Sequence, residues 1–215
     1  EAWQPVAPKI KALQAMVRRL DDLIELRTQE RNRLQSGPMS PIVQASIEHM
    51  LSYIDQEIAQ LEQQINDHID QHPELAHQVA LIASIPGLGE RTAIKLIAEF
   101  KDIAGYASAR SLAASVGVTP SHRQSGTSIH ARPRISKMGN AALRGALWWP
   151  AVSAMQHNPI IKNLVKRLRK AKLHNFAIIV AVIHKLIHLV YGVIKNDTPF
   201  DPDWHTKQLD FQHGI

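Results

Sequence analysis

The residues best suited to chemistry lie between Ser121 and Asn140. There Ser121, Ser125, Thr127, Ser128 and Ser136 alternate with His122, Arg123, His130, Arg132, Arg134 and Lys137. A hydroxyl among cations can attack a phosphodiester, because the cations stabilise the charge that builds on the phosphorane-like transition state. A serine hydroxyl is weak at its own pKa and needs a base to become a nucleophile. Composition leaves the five hydroxyls nearly equivalent, and it equally allows a basic anchoring loop with no chemistry.

A second candidate lies upstream. Ile85-Pro86-Gly87-Leu88-Gly89-Glu90-Arg91 has the form of the turn in a helix-hairpin-helix module. Gly87 and Gly89 let the backbone turn tightly and come close to a ligand. Amides at the start of the following helix then favour a phosphate, with Lys95 one turn further on. The alternative is a plain glycine-rich connection between core helices.

Charge is unevenly distributed. From Ser121 to Asn196 there are 13 Lys or Arg and no Asp or Glu, whereas residues 1–72 carry 11 acids and 7 bases. A long carboxylate-free stretch signals a polyanion partner. Within it, Lys162, Lys166, Arg167, Arg169, Lys170 and Lys172 form a basic helix expected to track a nucleic-acid backbone. The adjacent Trp148 and Trp149 could stack on bases, but adjacent tryptophans in a helix more often pack in a core, which is the expectation here. His184 and His188 share a helix face without an evident third metal ligand, so packing or surface roles are expected.

The elements that must hold these residues are helical. In the first of two long helices, Leu13, Val17, Leu20, Ile24 and Leu34 follow a 4-3-4-3 spacing that Arg27 and Arg31 interrupt. Ile47, Leu51, Ile54, Ile58, Leu61 and Ile65 repeat the spacing cleanly, the period of a coiled coil. Ser36-Gly37-Pro38 turns the chain between them. The reading is an antiparallel hairpin over residues 1–72 that serves as a dimerisation arm. A compact helical domain follows over 73–196, then an acidic tail over 197–215. Helices are expected over 74–84, 90–100, 108–116, 140–155 (kinked or divided at Pro150), 158–171 and 174–194. Residues 117–131 are expected to be loop, without strands. The fold class is all-α.

No cysteine is present, which excludes disulfides and thiolate zinc sites and suits a cytoplasmic protein. The apolar run 176–183 is short and ends at His184 and Lys185, so no membrane span is expected. The start, Glu1-Ala2-Trp3, has neither Met nor a signal-peptide pattern and is read as part of a longer protein.

From about residue 81 to residue 191 the chain resembles the C-terminal domain of the DEDD-type insertion-sequence transposases, a family that includes the Piv-type DNA invertases. The motifs in order are Ile85-Pro86-Gly87-Leu88-Gly89, Gly117 to Pro120, Gln124-Ser125-Gly126, Arg134-Ile135-Ser136-Lys137 with Gly139-Asn140, Leu143-Arg144, and Asn158-Pro159. The resemblance implies that Ser125 is the nucleophile and forms a phosphoserine link to cleaved DNA. It implies a separate RuvC-type domain whose four acids bind Mg²⁺, with no cofactor in this chain, and a structured bridge RNA that guides the complex. The expected partners are DNA, that RNA and a second copy of the chain. The expected nucleic-acid contacts are Gly87, Gly89, Lys95, Arg123, Gln124, Gly126, Arg132, Arg134, Lys137, Asn140, Arg144, Lys166 and Arg169. The chain is then expected to carry half an active site and to be inactive alone. The rival reading is a non-enzymatic helix-hairpin-helix DNA-binding module.

Overall fold

The computed structural model describes residues 6–121, 124–125, 129–130, 134–135 and 138–203, with backbone alone for those in 120–135. The chain divides into two compact units, Glu1–Ala76 and His77–Ile215.

The first unit is a helical hairpin of α1 (Pro8–Gln35) and α2 (Pro41–Asp70). Each helix opens on a proline, whose fixed φ suits the first turn and whose missing N–H has no intrahelical partner there. Gly37 makes the reversal with φ +134°. The helices run antiparallel. Arg27 donates to Asp55 Oδ1 at 3.1 Å, and His68 Nε2 lies 2.9 Å from the Lys9 carbonyl oxygen. Lys9 also pairs with Glu74.

Ile10, Leu13, Val17, Leu20 and Leu23 of α1 are buried, as are Ile54, Ile58, Ile65 and Ile69 of α2. Two details depart from the sequence reading. Leu23 is buried where the spacing favours Ile24, and Leu34 is only half-buried. Arg27 and Arg31 are accommodated beside the seam because both reach Asp55, at 3.1 and 3.6 Å. Toward the turn the burial fades, and Leu26, Ile42, Val43, Met50 and Tyr53 are exposed.

α3 (Pro73–Ala83) starts in the first unit and continues into the second. The second unit adds α4 (Glu90–Phe100), α5 (Ala109–Val116), α6 (Ala141–Ala146), α7 (Trp148–His157), α8 (Pro159–Lys170) and α9 (Asn175–Asn196). The helix expected over 140–155 is two helices, broken at Leu147. Pro150 is not the break. It sits in the first turn of α7, where its missing N–H costs no hydrogen bond.

α9 packs against α5, α7 and α8. It buries Ile178, Val182, Ile183, Leu186, Ile187 and Val190. Its length and composition would allow a membrane crossing, more than the interrupted apolar run suggested. Here part of that apolar stretch is buried against α5, α7 and α8.

Residues expected to be loop contain short pairings. β1 (Pro120–Ser121) pairs antiparallel with β4 (Arg134–Ile135), and β2 (Gln124–Ser125) with β3 (Ile129–His130). Each strand has two residues, so the fold remains all-α. After α9 the chain turns back at Asp197, which meets His77 Nε2 at 2.6 Å. The Phe200 amide then donates to Ser84 Oγ at 2.8 Å.

Candidate nucleic-acid site

The hairpin between α3 and α4 is pinned from inside. Ile85 and Leu88 are buried, and the Leu88 amide donates to the Ile85 carbonyl at 2.9 Å. Gly87 has φ +104°, and a Cβ there would stand 2.6 Å from the Ala154 Cβ of α7. Close packing on α7 together with the positive φ thus dictates this glycine. Gly89 has open space around it and caps α4 in extended conformation. Its surroundings leave room for a ligand at the start of α4, although Glu90 in the first turn already offsets part of the dipole. Lys95 is half-buried on α4.

Asn158 joins this hairpin to the basic helix. Fully buried, it accepts from the Ile160 and Ile161 amides at 3.0 and 3.2 Å, and its Nδ2 donates to the Pro86 carbonyl at 3.3 Å. The cap was legible in Asn158-Pro159, but the bond to Pro86 was not.

The segment that carries Ser125 is closed at its base. The Asn140 amide donates to the Ser115 carbonyl at 3.0 Å. Gly117 (φ +75°) and Gly139 (φ +145°) allow the two ends to press together. A Cβ on Gly139 would lie 2.7 Å from the Gly117 nitrogen, and one on Gly117 would lie 2.8 Å from the Met138 carbonyl. Arg144 Nη1 donates to Val116 O at 2.8 Å and to Gly139 O at 3.4 Å. Asn140 caps α6 by accepting from the Leu143 amide at 3.1 Å, and its Nδ2 donates to Glu99 Oε2 at 2.9 Å.

These bonds have Asn140 and Arg144 hold the loop base. Glu99 is the partner that spacing could not reveal. Within the loop, Gln124 and Ser125 lie on β2 and Arg134 on β4, described by backbone alone. Arg123, Gly126, Arg132 and Lys137 lie outside the described residues.

On α8, Lys162, Lys166, Arg169 and Lys170 are exposed along one face. With Met155 and Val165 they line an open groove of about 500 Å³. The tryptophans do not both enter the core. Trp149 is 75% exposed, and the half-buried Trp148 packs its ring 5.5 Å from that of Phe176.

His184 and His188 stack at 4.5 Å. Burial pushes both below the ordinary histidine value. Lys185 and Arg110 add to this at His184, and His184 and Lys185 at His188. Among the described residues, no group of three or more His, Asp or Glu side chains is arranged to hold a metal.

Residues 79–166 match the transposase IS116/IS110/IS902 family. The matched residues take in the α3–α4 hairpin, the clamp at the loop base, the strands and most of α8. Over 204 residues, 94% of its length, the chain is 33% identical to the pilin gene-inverting protein of Moraxella bovis, and it is 32% identical to that of Moraxella lacunata. It is 26% identical over 202 residues to an uncharacterized 43.6 kDa protein of insertion element IS110 from Streptomyces coelicolor. The chain spans 63% of each pilin gene-inverting protein and 47% of the IS110 protein.

Proposed function

We propose that this chain is part of a DNA transposase or invertase that cuts and rejoins strands through Ser125. The observation that carries the reading is the match of the IS110-type domain together with two relatives whose names state gene inversion. The acid-free basic stretch 121–196 supports a polyanion partner.

In the proposed step, Ser125 Oγ gives its proton to a base and attacks phosphorus. The Oγ–P bond forms as one P–O bond to a sugar breaks, and the departing sugar oxygen takes up a proton. Lys and Arg around the loop stabilise the charge gained by the phosphoryl oxygens. Strand exchange reverses the step with a different sugar hydroxyl. Mg²⁺ belongs, in this reading, to a RuvC-like domain beyond these residues. Among the described residues, no cluster of His, Asp or Glu is suited to hold it. A bridge RNA supplies the guide. The exposed Leu26, Ile42, Val43, Met50 and Tyr53 support pairing of the hairpin with a second copy.

The test is Ser125→Ala in the full-length protein. Strand exchange and the covalent protein–DNA adduct are expected to disappear while DNA affinity stays within about twofold, since one hydroxyl adds little to phosphate-dominated binding. Recombination that survives the substitution would reduce the domain to a DNA-binding module.

A further inference from the structure

We infer that the groove between α7 and α8, with the aromatic edge at its margin, binds an unpaired polynucleotide strand. This rests on the nucleic-acid part of the proposed function and not on Ser125.

The first observation is charge. Lys162, Lys166, Arg169 and Lys170 line the groove, and among the described residues no carboxylate pairs with any of them. A solvated helix face normally mixes signs, and uncompensated cations along one face repel each other unless a polyanion neutralises them. The floor is apolar, built from Met155 and Val165.

The second observation is aromatic exposure. Where the basic face of α8 runs out, Leu173 and Phe176 follow, 39% and 52% exposed. Phe176 packs on Trp148, and the next residue, Trp149, is 75% exposed. Tryptophan left this open, on a helix that also lines the groove through Met155, forfeits the burial that would stabilise the fold. A duplex hides the faces of its bases. An unpaired strand presents them, and a flat aromatic ring beside a row of cations is the surface that accepts both bases and phosphates. A duplex satisfies the cations alone, which is why the aromatic edge favours the unpaired strand.

The experiment measures binding of the full-length protein to labelled oligothymidylate and oligouridylate of roughly 20 nucleotides, and to a duplex of equal length. Trp149→Ala is expected to weaken single-strand binding about tenfold with little change on the duplex, and Trp149→Phe to restore most of it. Lys166→Ala with Lys170→Ala is expected to weaken both and to flatten the salt dependence. Trp149 is exposed, so its variants should keep the wild-type melting temperature. Loss with only one of the two single-stranded probes supports the groove and assigns its strand to DNA or RNA. Single-strand affinity indifferent to Trp149, or an equal loss on duplex, overturns the groove while leaving the Ser125 reading intact. A wild-type protein that binds no nucleic acid overturns both.

Discussion

Arg144 Nη1 donates to the carbonyl oxygen of Val116 at 2.8 Å, tying α6 to the end of α5. Everything between these two points is the segment that carries Ser125. Arg144 is therefore a positioning residue. Removing it leaves the Val116 carbonyl without this charged partner.

Arg144→Met is expected to lower stability by about 1–3 kcal/mol, the cost of stranding a part-buried acceptor. Amide exchange at Asn140 and proteolysis within residues 118–138 should rise together. If both stay at wild-type rates, Arg144 does not hold the loop base.

The two glycines of the α3–α4 hairpin should separate. Gly87→Ala drives a Cβ to 2.6 Å from that of Ala154 at a positive φ, and a loss of roughly 2–4 kcal/mol is expected in chemical denaturation. Gly89→Ala has free space and should stay within about 1 kcal/mol, since a weaker N-cap is offset by a less flexible unfolded chain. Equal costs for the two would contradict the packing of Gly87 on α7.

Asn158 does two jobs, so its variants should form a ladder. Asn158→Ser keeps an acceptor for the α8 amides and loses the bond to Pro86, costing about 1 kcal/mol. Asn158→Ala loses both and should cost about 2–3 kcal/mol in the same measurement. A serine variant no better than alanine would show that the cap contributes little.

The stacked histidines set a pH dependence. Burial holds His184 and His188 below 6.5, so the unfolded chain binds their protons more readily than the folded one. Stability is thus intact above about pH 6.5, falls as the pH drops through that value, and levels off below the folded pKa. Glu74 has the usual carboxylate sign. Its bond to Lys9 holds it below 4.5, so its contribution persists above that pH and is lost only in more acid solution. The urea midpoint should therefore fall between about pH 7.5 and pH 5.5, and His188→Phe should shrink the fall. A midpoint that rises on acidification would have the wrong sign for buried neutral histidines.

The sequence by itself determined whatever depends on near neighbours in the chain. The 3.5-residue spacing of Ile54, Ile58 and Ile65, the prolines that open α1 and α2, the Asn158 cap and the absence of acids over 121–196 are all local patterns. They fix the helices, the hairpin and the basic face. Only the tertiary structure decided which side chains meet. Gly87 faces Ala154, Asn140 reaches Glu99, and Arg144 reaches Val116 across dozens of residues, and no spacing rule connects such pairs. The same reason governs the tryptophans. Composition favoured the core for both, yet the break at Leu147 sets the rotation of α7, and that rotation turns Trp148 toward Phe176 and leaves Trp149 in solvent. Periodicity fixes which residues share a face of one helix, whereas what that face meets depends on how the helices pack.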